Sequence, residues 1–235
     1  MNNKLLYGLV GDGKAATHIS YYFDLLGISY VQWSRKKANT DPEATAPRVL
    51  APADTIIVLI SDSAIPTWIE SQPTLSGKTF VHMSGSLTTS AAMSVHPLMM
   101  LGEDLYDLST YATIPFVVEK NSISFADLFP DLPNPHYTIE PQHKALYHAL
   151  CVISGNFTTM LWKQAFEKMQ SECKLPETIL LPYMKSVFHN LEKGQQHTKA
   201  TGPISRKDKQ TIEKNLEALE KLPDLQKIYK SFLTQ

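Results

Sequence analysis

The sequence has few cysteines, no long apolar run and almost no net charge, and each of these shortages excludes a class of protein. Only Cys151 and Cys173 occur among the 235 residues. They lack C-x-x-C spacing, so neither a disulfide framework nor a zinc cluster is expected. The formal net charge of −1 provides no basic field for nucleic acid. We therefore expect neither a metal nor a nucleic acid as a partner.

Long apolar segments are also lacking. The longest runs fall far below the ~20 residues of a membrane span. The apolar run at residues 5–10 is too short for the central region of a secretory signal, and Asp12 and Lys14 interrupt it at once. We expect no membrane association, and a reducing cytoplasm fits the composition best.

A strand, a glycine turn and the start of a helix follow one another near residue 10. Gly11 permits a sharp turn, Gly13 lets a dinucleotide pyrophosphate approach bare backbone, and the small Ala16 lets the helix pack closely on the strand. Free N–H groups at the helix start would hold the phosphates. The simpler interpretation is a tight turn in another α/β protein. The residues predicted to bind the cofactor here are Gly8, Gly11, Asp12, Gly13, Lys14 and Ala15.

The residues after the second predicted strand, 29–33, indicate which dinucleotide binds. An NAD-binding domain usually places Asp or Glu about 20 residues after the glycines, to hold the ribose hydroxyls. This chain has Ser34, Arg35 and Lys36 at that place. These groups cannot make the carboxylate contact, but they suit a 2′-phosphate. NADP(H) is therefore predicted as the cofactor, against the alternative of a solvated basic turn.

Four more strands are predicted, at residues 54–60, 78–83, 116–119 and 137–139, and the first two end in polar turns. The first is a continuous apolar run, typical of a parallel strand covered on both faces. Ligands in open α/β sheets bind beyond the carboxyl ends of strands, so both turns should face the glycine turn. Each could equally be a turn without a ligand. The turn residues assigned to the cofactor are Ile60, Ser61, Asp62, Ser84 and Gly85.

The pattern changes to helical periodicity after Glu140. Residues 142–169 contain no proline, are interrupted only by Gly155, and are apolar over a wide face. Such a helix would be buried between a sheet and other helices, or against a second subunit. Two further helices are predicted at 176–193 and 205–222, the second with a capping box over residues 205–208. The sequence thus predicts an α/β protein with a dinucleotide-binding domain at 1–139 and an all-helical substrate and dimerisation domain at 140–235, assembled as a homodimer.

Polar side chains on the long helix are the candidates for catalysis. A nicotinamide enzyme takes its hydride from the cofactor and needs a protein group that gives a proton. Lys144 and His148 are neighbours at i,i+4. Asn156 lies about 80° around the helix from His148, so a shared pocket requires a bend at Gly155. We predict that Lys144, His148 and Asn156 are catalytic, and surface or structural roles are the alternative.

The remaining polar candidates are assigned to the substrate. His96 and Pro97 predict a loop near the nicotinamide, with His96 and Tyr147 as substrate contacts, and the nearby Met99 and Met100 are predicted as gap-filling core or interface residues. Thr201 and Arg206, with the helix start beyond residue 205, would bind a carboxylate or phosphate of the substrate. Capping and solvation of that helix are the alternative.

Several motifs in order resemble one family. The chain resembles the bacterial proteins that join a Rossmann-like domain to the helical domain DUF2520, which are similar to pyrroline-5-carboxylate reductase and the 6-phosphogluconate-dehydrogenase-like group. The motifs cover residues 8–13, 34–35, 61–65, 82–86, 96–98, 146–149, Asn156 and 201–206, with Asp208 and Thr211. Two departures are Lys207, where a glycine is common, and Gly155, where a bulkier residue precedes the asparagine.

The resemblance implies an NADP(H)-dependent oxidoreductase that reduces a C=O or C=N group of a small metabolite. Two alternatives stay open. One is a sensor or scaffold protein that binds NADP without turnover, and the other is an enzyme similar to the F420-dependent NADP oxidoreductases.

Overall fold

The computed structural model describes residues 5–120, 123–194 and 202–233. The chain divides into two compact units, Met1–Leu161 and Trp162–Gln235. The domain boundary predicted between residues 139 and 140 rests on the change to helical periodicity after Glu140, and it stays a prediction.

The first unit is built on a sheet in which the described residues form seven strands. Their order is β2-β1-β3-β4-β5-β6-β7, and all neighbours run parallel except β5 and β6, which are antiparallel. The strands are β1 Tyr7–Val10, β2 Tyr30–Trp33, β3 Thr55–Val58, β4 Thr79–His82, β5 Met93–Pro97, β6 Phe116–Glu119 and β7 His136–Ile139.

The strand order places a topological switch at β1. β1 pairs with β2 on one side and with β3 on the other, so the chain leaves the carboxyl ends of β1 and β3 in opposite directions. A crevice opens at such a point in an α/β sheet, and ligands bind there. The turns after β1 and β3 are therefore the first places to look for a site.

Both faces of the sheet are covered. Leu9 and Ile57 belong to one core cluster, which α1 and the segments near α5 and α6 complete, whereas Ile56 and Val58 belong to the opposite cluster with α3 and α4. Burial on both faces explains the unbroken apolar run of β3. The helices of this part are α1 Lys14–Leu26, α2 Arg35–Thr40, α3 Ala46–Leu50, α4 Ile65–Glu70, α5 Leu108–Thr113 and α6 Phe125–Leu128.

The predicted loop at His96 and Pro97 is wrong, because both residues belong to β5. The segment has little β-branched character, and two polar side chains break its apolar pattern. Its backbone hydrogen bonds go to the parallel neighbour β4 and to the antiparallel partner β6, and no local pattern can reveal these pairings. Pro97 is tolerated because it is the last residue of the strand.

The long helix predicted over residues 142–169 is present, with one local change of winding. It comprises α7 Lys144–Cys151, a π-helical segment Val152–Phe157 and α8 Thr158–Ser171. The π segment contains Gly155, the residue at which a bend was expected. A π turn closes i→i+5 bonds and is wider than an α turn, so it changes the phase of the residues that follow.

The last helices are α9 Leu181–Glu192, α10 Lys209–Ala218 and α11 Pro223–Ser231. The predicted capping box at residues 205–208 is wrong: α10 begins after Asp208, whose side chain accepts a hydrogen bond from the Thr211 backbone N–H at 3.1 Å. Lys207 has a φ of 56°, a left-handed conformation that favours glycine. It ends the preceding turn and so prevents an earlier helix start. None of the helices in the described ranges is long and apolar enough to cross a membrane.

Candidate functional site

The glycine turn after β1 borders a cavity of about 590 Å³ at the switch point of the sheet. We call it the dinucleotide cavity. Its lining comes from the turn after β1, the end of β2 and the turn after β3. The lining residues are Gly11, Asp12, Gly13, Lys14, Ala15, Trp33, Ser34, Arg35, Leu59, Ile60, Ser61, Ala64 and Trp68.

Glycine is required at one position of this turn and leaves room at another. Gly11 has a φ of 124°, and a Cβ on it would lie 2.4 Å from the carbonyl oxygen of Leu59. The Gln32 side-chain amide also donates to the Gly11 carbonyl at 2.8 Å, which fixes the turn. Gly13, in contrast, faces open space. Its backbone is therefore accessible to a bulky ligand.

The first turn of α1 has no side-chain cap. Gly13 occupies the N-cap position, and no acidic residue lies in the first turn, so the backbone N–H groups are left to a ligand or to water. Lys14 forms an exposed ion pair with Glu103 at 2.7 Å. Gly8 does not line the cavity; a Cβ on it would lie 2.9 Å from Leu50 Cδ2, so it serves helix packing.

The basic turn after β2 borders the same cavity through two of its three predicted residues. Ser34 is buried and caps α2, because its hydroxyl oxygen accepts from the Lys37 backbone N–H at 3.2 Å. Its own O–H remains a possible donor. Arg35 is exposed and lines the cavity, whereas Lys36 is exposed and does not. The arrangement presents a hydroxyl and a guanidinium side by side.

A smaller cavity of about 120 Å³ borders the turns after β3 and β4. It shares Ala15, Leu59 and Ile60 with the dinucleotide cavity, and Asp62 and Ser84 also line it. The Ser84 hydroxyl donates to the Asp62 carboxylate. The turns after β1, β3 and β4 thus meet at one edge of the sheet, as their positions after parallel strands predict.

The Ser84 turn is held by several hydrogen bonds. The Ser84 hydroxyl oxygen accepts from the backbone N–H groups of Ser86 at 3.3 Å and Leu87 at 3.0 Å. The Ser84 N–H donates to Nδ1 of the buried His82 at 3.2 Å. A turn with so many internal bonds is a rigid platform at the carboxyl end of β4.

His148 lies directly against this platform. A Cβ on Gly85 would come within 2.4 Å of His148 Cδ2 and within 3.0 Å of His96 Nε2. Only glycine leaves room for the two rings at this place. Gly85, which the sequence predicts as a cofactor contact, therefore also lies against both imidazole rings.

The two histidines line a cavity of about 330 Å³, which we call the histidine cavity. Their ring centroids are 6.0 Å apart, and His96 Nδ1 lies 2.7 Å from the Tyr147 hydroxyl. The cavity is otherwise mostly apolar. Its other lining residues are Leu98, Met99, Met100, Cys151, Val152, Ser154, Gly155 and Asn156.

Burial keeps His96 and Tyr147 neutral. Desolvation, with smaller contributions from His148 and Lys144, lowers the pKa of His96 to about 4. Desolvation also raises the pKa of the Tyr147 hydroxyl. Near pH 7 the pair is therefore an uncharged imidazole hydrogen-bonded to an intact phenol.

Asn156 shares the histidine cavity with His148. An unbroken α-helix would separate the two by about 80°. Each residue of the π segment rotates the chain about the helix axis by a smaller angle than a residue of an α-helix does. The segment between His148 and Asn156 therefore removes most of the 80° offset. The structure thus brings together two of the three residues that the sequence predicts as catalytic.

The third residue, Lys144, lies elsewhere. Its side chain is 2% exposed and forms an ion pair with Glu119 Oε2 at 3.1 Å. Its ammonium group also donates to the Leu87 carbonyl. Burial lowers the pKa of Lys144, and Glu119 opposes the shift. Lys144 is not among the residues that line the histidine cavity, although it shares a helix with His148.

The residues assigned to a substrate anion lie in the second unit or outside the described residues. Thr201 falls outside the described ranges. Arg206 is exposed and precedes α10. The described part of the chain contains no group of three or more His, Cys, Asp or Glu residues that could hold a metal ion.

Sequence reasoning missed several residues of these cavities. Trp33 and Trp68, with ring centroids 5.8 Å apart, line the dinucleotide cavity, and their positions at a strand end and after the Ser61 turn were the available signal. Met99 and Met100 are 39% and 52% exposed and line the histidine cavity, so they are not core residues, and the predicted alternative of an interface role stays a prediction. Glu119 was predicted only as the last residue of a strand, without a role beside Lys144.

Comparison with solved structures defines the fold. A Bacteroides fragilis protein provisionally assigned as an NADP oxidoreductase is 22% identical, with a TM-score of 0.77 over 98% of this chain and 97% of that chain. A Thermotoga maritima protein is 22% identical, with a TM-score of 0.69 over 97% and 95%. A reductive aminase from Aspergillus terreus, in complex with NADPH and ethyl levulinate, is 15% identical, with a TM-score of 0.67 over 97% and 93%. The predicted fold, a Rossmann-like sheet followed by a helical region, is confirmed.

Comparison of the sequence identifies the family. No curated protein matches the chain. The model of a domain of unknown function, DUF2520, matches residues 114–235, which is more than half of the 235 residues. The resemblance drawn from the motifs is therefore confirmed, and the chain belongs to the DUF2520 family.

Proposed function

We propose that the protein is an NADP(H)-dependent oxidoreductase that reduces a C=O or C=N group of a small metabolite. The observation that carries the proposal is the dinucleotide cavity, because the glycine turn and the Ser34–Arg35 pair line the same space. The Aspergillus terreus relative, of the same fold, is a reductive aminase in complex with NADPH, which supports the choice of cofactor and reaction.

The residues present fit the cofactor. Gly13 leaves open space in front of the uncapped start of α1, which suits a pyrophosphate. Ser34 and Arg35 supply a donor and a cation for a 2′-phosphate. Ile60, Ser61 and the Ser84 turn border the neighbouring space. When bound, the reduced nicotinamide supplies the hydride.

The histidine cavity supplies the remaining chemistry. His148 gives a proton to the developing alkoxide or amine, and Asn156, which lines the same cavity, orients the carbonyl or imine by hydrogen bonding. Neutral His96, held by Tyr147, offers a further hydrogen bond to the substrate. The apolar lining formed by Met99, Met100 and Val152 excludes water from the reacting group.

We also propose that the chain acts as a homodimer joined through its helical part. Five large apolar side chains of α7, the π-helical segment and α8, which we call the apolar stripe, are left exposed. Each is about half exposed: Leu146 62%, Leu150 55%, Ile153 54%, Phe157 51% and Met160 56%. A second copy of the chain would cover this apolar stripe, and residues 140–235 would then form the substrate and dimerisation domain.

Titration calorimetry with NADPH and NADH tests the proposed cofactor. We expect NADPH to bind more tightly, and Arg35→Ala to weaken NADPH binding about 10- to 150-fold through loss of a charged hydrogen bond worth about 1.5–3 kcal/mol. NADH binding should hardly change. Arg48→Ala is the matched control, because Arg48 is exposed and pairs with Glu43 away from the cavity. Equal affinity for both cofactors would refute the assignment.

A screen of keto acids, ketones and cyclic imines with NADPH tests the reaction itself. Oxidation of NADPH by one of these classes is the expected result. Tight NADPH binding without oxidation of any of them would instead favour a sensor or scaffold protein.

A further inference from the structure

Lys144, at the start of α7, is not among the residues that line the histidine cavity. Lys144 is 2% exposed, and its ammonium group lies 3.1 Å from Glu119 Oε2 at the end of β6. The same group donates to the Leu87 carbonyl. One ammonium group thus joins three elements: the helix, the last residue of a strand and the Ser84 turn.

The Leu87 carbonyl belongs to the turn that seats His148. The Leu87 N–H donates to the Ser84 hydroxyl oxygen at 3.0 Å, and the Ser84 carbonyl accepts from the Ser94 hydroxyl at 3.4 Å. The turn is therefore fixed to β5 as well as to Lys144. A movement of α7 away from this turn that exceeds the reach of the Lys144 side chain would break the ammonium contacts.

His148 lies one helical turn after Lys144 and rests on Gly85 of the same turn. We propose that Lys144, Glu119 and the Leu87 carbonyl form a clamp that fixes α7 to the Ser84 turn and so holds the His148 imidazole on Gly85. Lys144 is then a positioning residue. The role of the held His148 imidazole in proton transfer rests on the proposed function. The existence of the clamp does not depend on that function.

The contacts of Lys144 argue against a direct role in the reaction. Its ammonium group pairs with the Glu119 carboxylate and donates to the Leu87 carbonyl, and its side chain is almost completely buried. A substrate in the histidine cavity would have to draw the ammonium group away from Glu119 and leave a partly buried carboxylate without its cation, which is costly. His148 and Asn156 face that cavity without any such rearrangement.

A nuclear Overhauser measurement on the full chain reports the position of His148 directly. The position of a Cβ on Gly85 is 2.4 Å from His148 Cδ2, so the ring Hδ2 and a Gly85 Hα should give a strong cross-peak. His148→Ala assigns the ring signal. We expect Lys144→Met to lose the cross-peak and Glu119→Gln, which keeps an oxygen acceptor for Lys144, to retain it.

The matched control is Lys120→Met. Lys120 is next to Glu119 in sequence and forms an exposed ion pair with Glu140 at 2.7 Å, so its loss should leave the cross-peak unchanged. If the Lys144–Glu119 pair merely stabilised the fold, Lys144→Met would lower the melting temperature without moving the His148 ring. A folded Lys144→Met protein that keeps the cross-peak would overturn the clamp.

A second measurement needs no variant. Acetic anhydride acetylates exposed lysines, and mass spectrometry gives the rate at each site of the native protein. Lys144 should react much more slowly than Lys120, and equal rates would overturn the proposal even if Lys144→Met fails to fold. Neither measurement uses cofactor or substrate. A failure of the NADPH titration therefore refutes the function and leaves the clamp standing, and the reverse also holds.

Discussion

Two glycines define the two ends of the site for different physical reasons. Gly11 needs both a positive φ and the absence of a Cβ, because the chain turns sharply beneath the Leu59 carbonyl. Gly85 needs only the absence of a Cβ, because the His148 ring occupies the space that a side chain would fill. Sequence motifs predicted both as cofactor contacts. The packing of an imidazole on Gly85 could not be predicted, because it depends on a helix more than 60 residues away in sequence.

At the same scale, His148→Ala tests the proton donor. With a substrate found by the screen, we expect turnover to fall by about 10²–10⁴-fold, the usual contribution of a general acid. NADPH affinity should stay nearly unchanged, since His148 does not line the dinucleotide cavity. Steady-state kinetics gives the turnover, and calorimetry on the same preparation gives the NADPH affinity.

His143→Ala is the control for this substitution. His143 is exposed and lies just before α7, outside the residues that line the histidine cavity. Unchanged turnover in His148→Ala would exclude His148 as the proton donor.

The elements that could be predicted from sequence are those with a local cause. β3 has a continuous β-branched run, and α1 begins directly after the glycine turn, so both follow from neighbouring residues. β5 is held by an antiparallel partner distant in sequence, and its own residues carry little strand signal. Glu119 ends that partner strand, β6. Because β5 was missed, nothing in the sequence could place Glu119 beside Lys144.

The apolar stripe of α7 and α8 leads to a prediction at the scale of elements. We expect light scattering at micromolar concentration to give twice the 26.4 kDa of one chain. Leu150→Glu combined with Phe157→Glu should shift the protein toward monomer, because burying two charges in the apolar stripe is unfavourable.

Leu25→Glu is the control, since Leu25 is a 37% exposed side chain on α1, far from the stripe in sequence. It should leave the mass unchanged. A wild-type mass of one chain would contradict the dimer.

The stability of the whole molecule should depend on two histidines, the buried His82 and the partly buried His96. Burial lowers the pKa of both His82 and His96 from 6.5 to about 4. Between about pH 4 and pH 6.5, the unfolded chain therefore binds more protons at these histidines than the folded chain does. The stabilisation from each neutral imidazole is thus fully present above pH 6.5 and is lost as the pH falls toward 4.

Urea unfolding at a series of pH values measures this dependence. We expect the free energy of unfolding to fall between pH 6.5 and pH 4, by at most about 1.4 kcal/mol per pH unit for each histidine. His96→Asn should reduce the slope, whereas His143→Asn, at an exposed position, should not. Equal slopes for wild type and His96→Asn would show that His96 is not held neutral by the fold.

A crystal structure of the protein grown with NADPH is the strongest test of the proposed function, because the two cavities fix where both ends of the cofactor should lie. We expect the pyrophosphate at the Gly13 backbone, the 2′-phosphate within hydrogen-bond distance of Ser34 or Arg35, and the nicotinamide ring beside Gly85 and His148. A 2′-phosphate bound away from both Ser34 and Arg35, or a nicotinamide ring remote from His148, would contradict it.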